Sequence, residues 1–372
     1  MNNVSTAHMS VPGSETTQKL THLWEELLGV KMVGPDQNYF DLGGDSSLAV
    51  QLFARIEKIF HVKLPLATLF EAPTIEELTR VLQRETALPG WSPLVPIQAS
   101  GSRPNFFCIH GAGGNVLIYR DLSRRLGADQ PFYGLQSQGL DGTCAPLTKI
   151  EDMAALYAKE IRRLQPHGPY FIGGYCMGGT IAYEVARQIE LEGEEIALLA
   201  LFDTMDWSQI KVPGVMARAY HEAERLWFHA ANFLKLDSSG KSKFFHEKME
   251  SLRNRLPVWK GMLRARFGYP RSAAPSESWI LGNIWRANDR SCLYYKPQRL
   301  HGRVTDFRPK KQYRIYHRPD VKWDRLADGG EEVVVLPVYP AGMLVEPFVE
   351  HMAVALRKAM DSAISASAMQ KI

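Results

Sequence analysis

Tyr170-Phe171-Ile172-Gly173-Gly174-Tyr175-Cys176-Met177-Gly178-Gly179-Thr180 is the stretch that decides how most of this chain folds. Its first half is an apolar, aromatic run of strand length, and its second half opens a helical pattern that continues to Leu191. Between them, glycines at 174 and 178 let the backbone pass through a sharp turn and let the helix pack close to the strand. Strand, turn and helix in that order is the context in which G-x-S-x-G acts as a nucleophile elbow, here with sulfur where the hydroxyl would be. A thiol at a helix N-terminus has its thiolate stabilised by the helix dipole, which makes Cys176 a candidate nucleophile. The bland alternative is a buried structural cysteine on a tight strand-to-helix crossing.

Outward from the elbow the chain alternates apolar strands with helices. Asn105–His110, Ile196–Phe202, Val304–Phe307 and Val333–Val338 read as buried strands, and Met153–Leu164 and Thr180–Leu191 as helices. That alternation predicts a mostly parallel sheet covered on both faces. The stretch from Met205 to about Arg290 interrupts it with a long helical pattern rich in Trp, Phe and Met between charges, as expected of a lid. Upstream, Ala87–Arg103 carries Pro89, Pro93, Pro96 and Gly101 and reads as an extended linker.

Before the linker the texture is helical. Leu20, Leu23, Trp24, Leu27 and Leu28 recur at helical spacing and Gly29 closes the pattern; a second helix runs from Ser46 to about Phe60. A third begins near Thr74, where Thr74 and Glu77 have capping-box spacing. The organisation predicted is therefore a small helical bundle over residues 14–86, a linker over 87–103 and a larger α/β domain over 104–372, with the lid at about 205–290.

Hydrophobic content of 45% and charged content of 23% are those of an ordinary globular protein. From Ser14 to Glu85 there are eleven acidic and seven basic residues, net −4, so the whole-chain +4 leaves +8 for the remainder, and the two parts attract at long range. Lysines and arginines are scattered without a basic stripe, so nucleic acid is not an expected partner. Four widely spaced cysteines, without a C-x-x-C pair or metal spacing, read as reduced thiols of a cytoplasmic protein with no metal. There is no apolar run of membrane-spanning length, and Met1–Gly13 reads as a polar leader unlike a signal peptide.

Phe40-Asp41-Leu42-Gly43-Gly44-Asp45-Ser46-Ser47-Leu48 sets a serine at a helix start directly after a glycine turn. By itself this is a loop ending in an N-capping residue. Together with Leu64-Pro65-Leu66, Leu69-Phe70 and Pro73-Thr74-Ile75, however, the stretch resembles the peptidyl carrier domains of nonribosomal peptide synthetases. The resemblance implies covalent phosphopantetheine on the serine after Gly-Gly-Asp, which is Ser46, and a phosphopantetheinyl transferase that attaches it. A helix N-terminus suits a phosphodiester.

The larger part resembles the terminal thioesterase domains that follow such carriers. Phe106-Phe107-Cys108-Ile109-His110-Gly111-Ala112-Gly113-Gly114 is similar to their oxyanion loop, which implies backbone amides of Ala112 and Met177 as oxyanion donors. In that loop His110 is a shaping residue rather than a base, and Cys108 and Cys292 read as core thiols. The resemblance also implies an acid at the end of the strand after the elbow, which is Asp203, with Asp206 as its competitor. The fold class implied is a small all-α carrier bundle followed by an α/β-hydrolase fold thioesterase with a helical lid.

The histidine departs from the family pattern. Relatives end their last strand with Gly-x-His before a Met-Leu-x-x-Pro stretch, and this chain reads Val338-Tyr339-Pro340-Ala341-Gly342-Met343-Leu344, with Pro340 in the expected base position. His317, in Arg314-Ile315-Tyr316-His317-Arg318-Pro319 after the penultimate strand, is the candidate base, since triads are defined by geometry rather than chain order. A surface loop histidine is its alternative.

A cysteine nucleophile with a displaced histidine is similar to the ring-closing thioesterases of the obafluorin and sulfazecin synthetases. The function implied is chain release: a peptidyl thioester, delivered by upstream synthetase modules, passes from phosphopantetheine to Cys176 and leaves by cyclisation, with β-lactam closure favoured. Arg318 is a candidate contact for an anionic substrate group and Asn288 for a substrate amide. The alternatives are β-lactone or macrocycle formation, plain hydrolysis, and a carrier joined to a degenerate thioesterase that only docks.

Overall fold

The computed structural model describes residues 12–83, 91–205, 277–311 and 323–370, together with 223, 224, 226, 227 and 230. Most of the expected lid, and His317, Arg318 and Asp206, lie outside the described residues. The chain divides into two compact units between Trp91 and Ser92.

In the first unit, α1 (Pro12–Leu28) and α2 (Ser46–Phe60) are followed by a short α3 (Thr68–Glu71) and by α4 (Ile75–Leu82). Leu20, Trp24 and Leu28 from α1 are fully buried with Leu52 and Ile56 of α2 and Ile75 and Leu78 of α4, so the i, i+4 stripes read from the sequence meet in one core. The capping box at α4 is complete: the Glu77 amide donates to the Thr74 hydroxyl and the Thr74 amide to the Glu77 carboxylate.

The second unit is a seven-stranded sheet, β1 (Leu94–Gln98), β2 (Phe106–Ile109), β3 (Phe132–Leu135), β4 (Tyr170–Tyr175), β5 (Ile196–Phe202), β6 (Val304–Pro309) and β7 (Glu331–Leu336), in the order β1-β3-β2-β4-β5-β6-β7. All neighbours are parallel except β1, which runs antiparallel to β3. The helices that the described residues delimit are α5 (Arg120–Leu126), α6 (Ile150–Leu164), α7 (Met177–Leu191), α8 (Glu277–Tyr294) and α9 (Val349–Gln370). Phe107, Ile109, Ile172, Leu199 and Leu201 pack under α6 and α7. Strand alternation sends Phe106, Phe132, Phe202 and Phe307 to the opposite face, where α5 and α9 pair. The result is a sheet with helices on both faces, the α/β layering of the fold class expected.

Three elements differ from the sequence reading. Five residues of the linker form β1, an edge strand whose ladder shifts register between Pro96 and Gln98, because proline is tolerated only at a sheet edge. Strand β3 is four residues long and carries too little pattern to be read. Strand β7 is not buried: it is the far edge, with Val333 and Val335 exposed. Among the described residues no helix is long and apolar enough to cross a membrane.

Candidate active site

The parallel register of β4 and β5 pairs Tyr175 with Phe202, so the next residues, Cys176 and Asp203, leave the sheet side by side at its carboxyl edge. Both carry positive φ, 56° at Cys176 and 47° at Asp203, conformations that non-glycine residues adopt at a cost of about 1–3 kcal/mol and that cluster at functional sites. The strain at Cys176 is held from both sides. Its amide donates to Phe202 O at 2.8 Å, and the following residue begins the fifteen-residue helix α7. A side chain at 174 would meet the Gly178 backbone at 2.3 Å, and one at 178 would meet Ile109 O at 2.2 Å, so only glycines allow this elbow. Cys176 is partly exposed, and its thiol sits where the dipole of α7 favours the thiolate.

Met177 opens α7, and an amide of the first helical turn has no acceptor within the helix, which leaves it available to an oxyanion. Ala112 is on the loop that follows β2. That loop is fixed by His110, whose Nδ1 lies 2.7 Å from Gly111 O and whose Nε2 lies 2.7 Å from the Tyr157 hydroxyl. A carbonyl only accepts, so Nδ1 carries the proton and Nε2 accepts from Tyr157. Burial pushes the His110 pKa down to about 4, which keeps the ring neutral. His110 therefore shapes the loop, as expected from the sequence. Tyr119 ties the two strand ends together: its hydroxyl donates to Ile109 O at 2.5 Å and accepts from the Tyr175 amide at 3.1 Å. Cys108 and Cys292 are buried and their thiols are pushed up by burial, which makes them inert core thiols.

Pro340 is buried at the start of a short 3₁₀ turn beyond β7, and the Tyr175 hydroxyl donates to its carbonyl at 3.2 Å. Pro340, where the sequence reading expected a base, is thus in contact with the elbow residue Tyr175 and is a ring that cannot titrate. The described histidines are engaged or lie elsewhere: His22 and His61 are in the helical bundle, His167 and His301 lie on segments preceding β4 and β6 and face Glu194 and Asp328, and His351 is exposed on α9. His317 and Arg318 lie outside the described residues; the last described residue before them, Lys311, follows β6, the strand between β5 and β7.

Asn288, expected as a contact for a substrate amide, is fully buried, and its Nδ2 donates to Ala112 O at 2.9 Å. Helical periodicity is the reason: Ile284, Asn288, Ser291 and Cys292 form the inward stripe of α8, while Arg286 and Arg290 face out. Sequence reasoning also missed Asp306, a buried β6 carboxylate gripped by Arg308, with burial raising its pKa to about 6. A carboxylate two residues before an arginine in a strand pattern was its only signal.

In the first unit, Ser46 opens α2 directly after Asp45, whose carboxylate caps the helix by accepting from the Leu48 amide at 2.8 Å. Gly44 lies so close to Tyr39 that a side chain would meet its ring at 2.4 Å, and the Tyr39 hydroxyl donates to Asp45 O. The loop is thereby held as a turn that ends on the N-terminus of a fifteen-residue helix, which fits a phosphate-linked group at Ser46.

Comparison with known proteins agrees with both halves. Residues 104–339 match the thioesterase domain family, and residues 18–82 the phosphopantetheine attachment site family. The chain is 42% identical over 194 residues to a dimodular nonribosomal peptide synthase of Bacillus subtilis (strain 168), covering 51% of this chain and 8% of that protein. It is 42% identical over 191 residues to malpinin synthetase of Mortierella alpina, covering 50% of this chain and 2% of that protein. The chain therefore spans only a small part of the curated relatives it matches. Among solved structures, holo-AB3403, a four-domain nonribosomal peptide synthetase, matches with TM-score 0.56 and 25% identity over 95% of this chain and 27% of its own. The NocB thioesterase domain matches with TM-score 0.50 and 19% identity over 72% of this chain and 100% of its own, a likeness of fold.

Proposed function

This chain belongs to the thioesterase domain family and carries a phosphopantetheine attachment domain ahead of it, and from that premise we propose that it releases the finished acyl chain of a nonribosomal peptide assembly line. The observation that carries the reading is the strained Cys176 at the head of α7, with Asp203 beside it at the same sheet edge. Phosphopantetheine, attached through Ser46, supplies the thiol that holds the acyl chain as a thioester. Cys176 Sγ, as thiolate, attacks the acyl carbonyl carbon while the Ala112 and Met177 amides donate to its oxygen. As the thioester bond to the carrier breaks, His317, oriented by Asp203, would return to the leaving thiol the proton it draws from Cys176. Sulfur-to-sulfur transfer is nearly isoenergetic, so the acyl group stays activated.

The finer reading is ring closure. A nitrogen of the substrate attacks the Cys176 thioester carbonyl, the new C–N bond forms as the C–S bond breaks, and His317 receives the nitrogen's proton. A β-lactam is the favoured product, because a sulfur nucleophile combined with a base displaced from the end of β7 is the pairing that the ring-closing thioesterases share. Arg318, next to the base, suits an anionic substrate group. The partners implied are upstream synthetase modules and a phosphopantetheinyl transferase, in the cytoplasm.

The deciding experiment loads Ser46 with a synthetic acyl-pantetheine and follows both the acyl group on Cys176 and the released product by mass spectrometry. Acylation of Cys176 followed by a product lighter than the hydrolysed acid by one water supports cyclisation; the free acid reduces the function to hydrolysis, and an oxygen-closed ring to lactone formation. Release by Cys176→Ala at the parent's rate overturns the enzymatic reading. That outcome would favour a second one, a carrier joined to a docking-only thioesterase, for which the buried, non-titrating Pro340 in the base position speaks.

A further inference from the structure

Helix α8 lies directly on the loop that bears Ala112. A side chain at Gly113 would meet Trp285 Nε1 at 3.5 Å, and one at Gly114 would meet Ile284 Cγ2 at 2.7 Å, so loop and helix are packed without a gap. Asn288, one turn beyond Ile284, makes the polar contact: its Nδ2 lies 2.9 Å from Ala112 O. The carbonyl is an acceptor only, so the amide nitrogen faces it and Oδ1 faces away. Oδ1 is buried and has no hydrogen-bond partner among the described residues, and the side chain is fully buried. A buried amide with one end spent on this carbonyl and the other end unsatisfied is poor packing material; its gain lies in what it holds.

The two peptide planes around Ala112 are gripped from opposite ends of the residue. Gly111 O accepts from His110 Nδ1 at 2.7 Å and from the Gly114 amide at 3.0 Å, and in a trans peptide the Ala112 N–H points the opposite way. Ala112 O is held by Asn288. The Ala112 N–H lies in the first of these planes, so turning φ and ψ of Ala112 does not reorient it; the bond from Asn288 to the second plane instead anchors the loop just beyond the amide, so that the first plane cannot shift or tilt as a body away from α8. Bonds accepted by Gly111 O also polarise the amide of the same peptide group, which strengthens the Ala112 N–H as a donor.

We infer that Asn288 is a positioning residue of the oxyanion site, which through its bond to the Ala112 carbonyl holds the Ala112 amide in place and ties that placement to helix α8. The inference rests on the chain-release reading. It makes the helix that leaves the lid region a determinant of oxyanion stabilisation, although no atom of Asn288 touches the reacting carbonyl.

The test uses the full chain, a soluble acyl N-acetylcysteamine thioester as acyl donor, and iodoacetamide as a second probe of Cys176, since alkylation builds no oxyanion. Asn288→Leu removes the donor and fills the volume; Asn288→Asp keeps the shape and, when ionised, cannot donate. Both are expected to lower kcat about 10- to 100-fold, short of the loss on deleting a whole oxyanion donor. KM and the alkylation rate should stay within about twofold of the parent. The Asn288→Asp to parent ratio of kcat should rise toward acid pH, where the protonated carboxyl can donate to Ala112 O. Unchanged kcat in both variants, or alkylation falling in step with kcat, overturns the positioning role while leaving chain release intact. A parent protein that is never acylated on Cys176 overturns both.

Discussion

Gly178→Ala isolates the geometric link between elbow and oxyanion loop. The added methyl would lie 2.2 Å from Ile109 O and 2.6 Å from His110 O, against about 3.4 Å for ordinary contact, so the shortfall is 3.4 − 2.2, roughly 1.2 Å. Neither oxygen can retreat easily: Ile109 O accepts from the buried Tyr119 hydroxyl, and the His110 amide is bonded to Leu135 O on β3. The first turn of α7 must move instead, and it carries Cys176 and the Met177 amide while Ala112 stays with β2. A displacement of about 1 Å costs on the order of 100-fold in rate, and the overpacking about 1–3 kcal/mol of stability. The assay is single-turnover acylation of Cys176 by an N-acetylcysteamine thioester under rapid quench, with thermal unfolding alongside. A folded Gly178→Ala protein acylated at the parent's rate would refute the idea that nucleophile and oxyanion donors are held in register by this backbone contact.

Further outcomes follow from individual residues. The folded pKa of His110 is lowered to about 4 from 6.5, so it contributes stability above pH 6.5 that is lost as pH falls toward 4; Asp306, raised to about 6 from 3.8, has the opposite sign and favours folding as pH falls from 6 toward 3.8. On going from pH 7 to pH 4.5, urea unfolding should therefore show His110→Gln gaining about 2 kcal/mol relative to the parent and Asp306→Asn losing about 2 kcal/mol. Gly282→Ala, inside α8 where a methyl meets nothing within 4 Å, should raise stability by about 0.5–1 kcal/mol and the melting temperature with it. Thr74→Ala, which deletes half of the α4 capping box, should cost the helical bundle about 1 kcal/mol, read as a lower denaturation midpoint by circular dichroism.

Much of the site was legible before any coordinates. Two glycines around a cysteine, between an apolar run and a helical one, announce the elbow because strand period, turn chemistry and helix period are all local. Asp203 follows from the same logic, at the end of the next apolar run. The Thr74/Glu77 cap and the stripes of α1 and α2 were equally local. Strand β1 was not: Pro93 and Pro96 make its sequence look like a linker, and only pairing with β3 turns it into an edge strand.

What the sequence determined by itself was the elbow, the helical stripes of α1 and α2 and the residues at the carboxyl ends of β4 and β5, since each depends on patterns a few residues long. Tertiary structure alone decided the partners of those residues. Asn288 reads as a polar side chain free to meet a ligand until α8 packs on the loop 176 residues away and spends its amide on Ala112. Asp306 and Pro340 likewise take their meaning from the fold: Asp306 is buried and shares Arg308, its neighbour on β6, with Glu331 on the adjacent strand, and the Pro340 carbonyl meets Tyr175 beside the nucleophile. Periodicity states which face of an element is buried; it does not state what lies against that face, and at this site what lies against it decides whether a polar group binds substrate or holds the backbone that does.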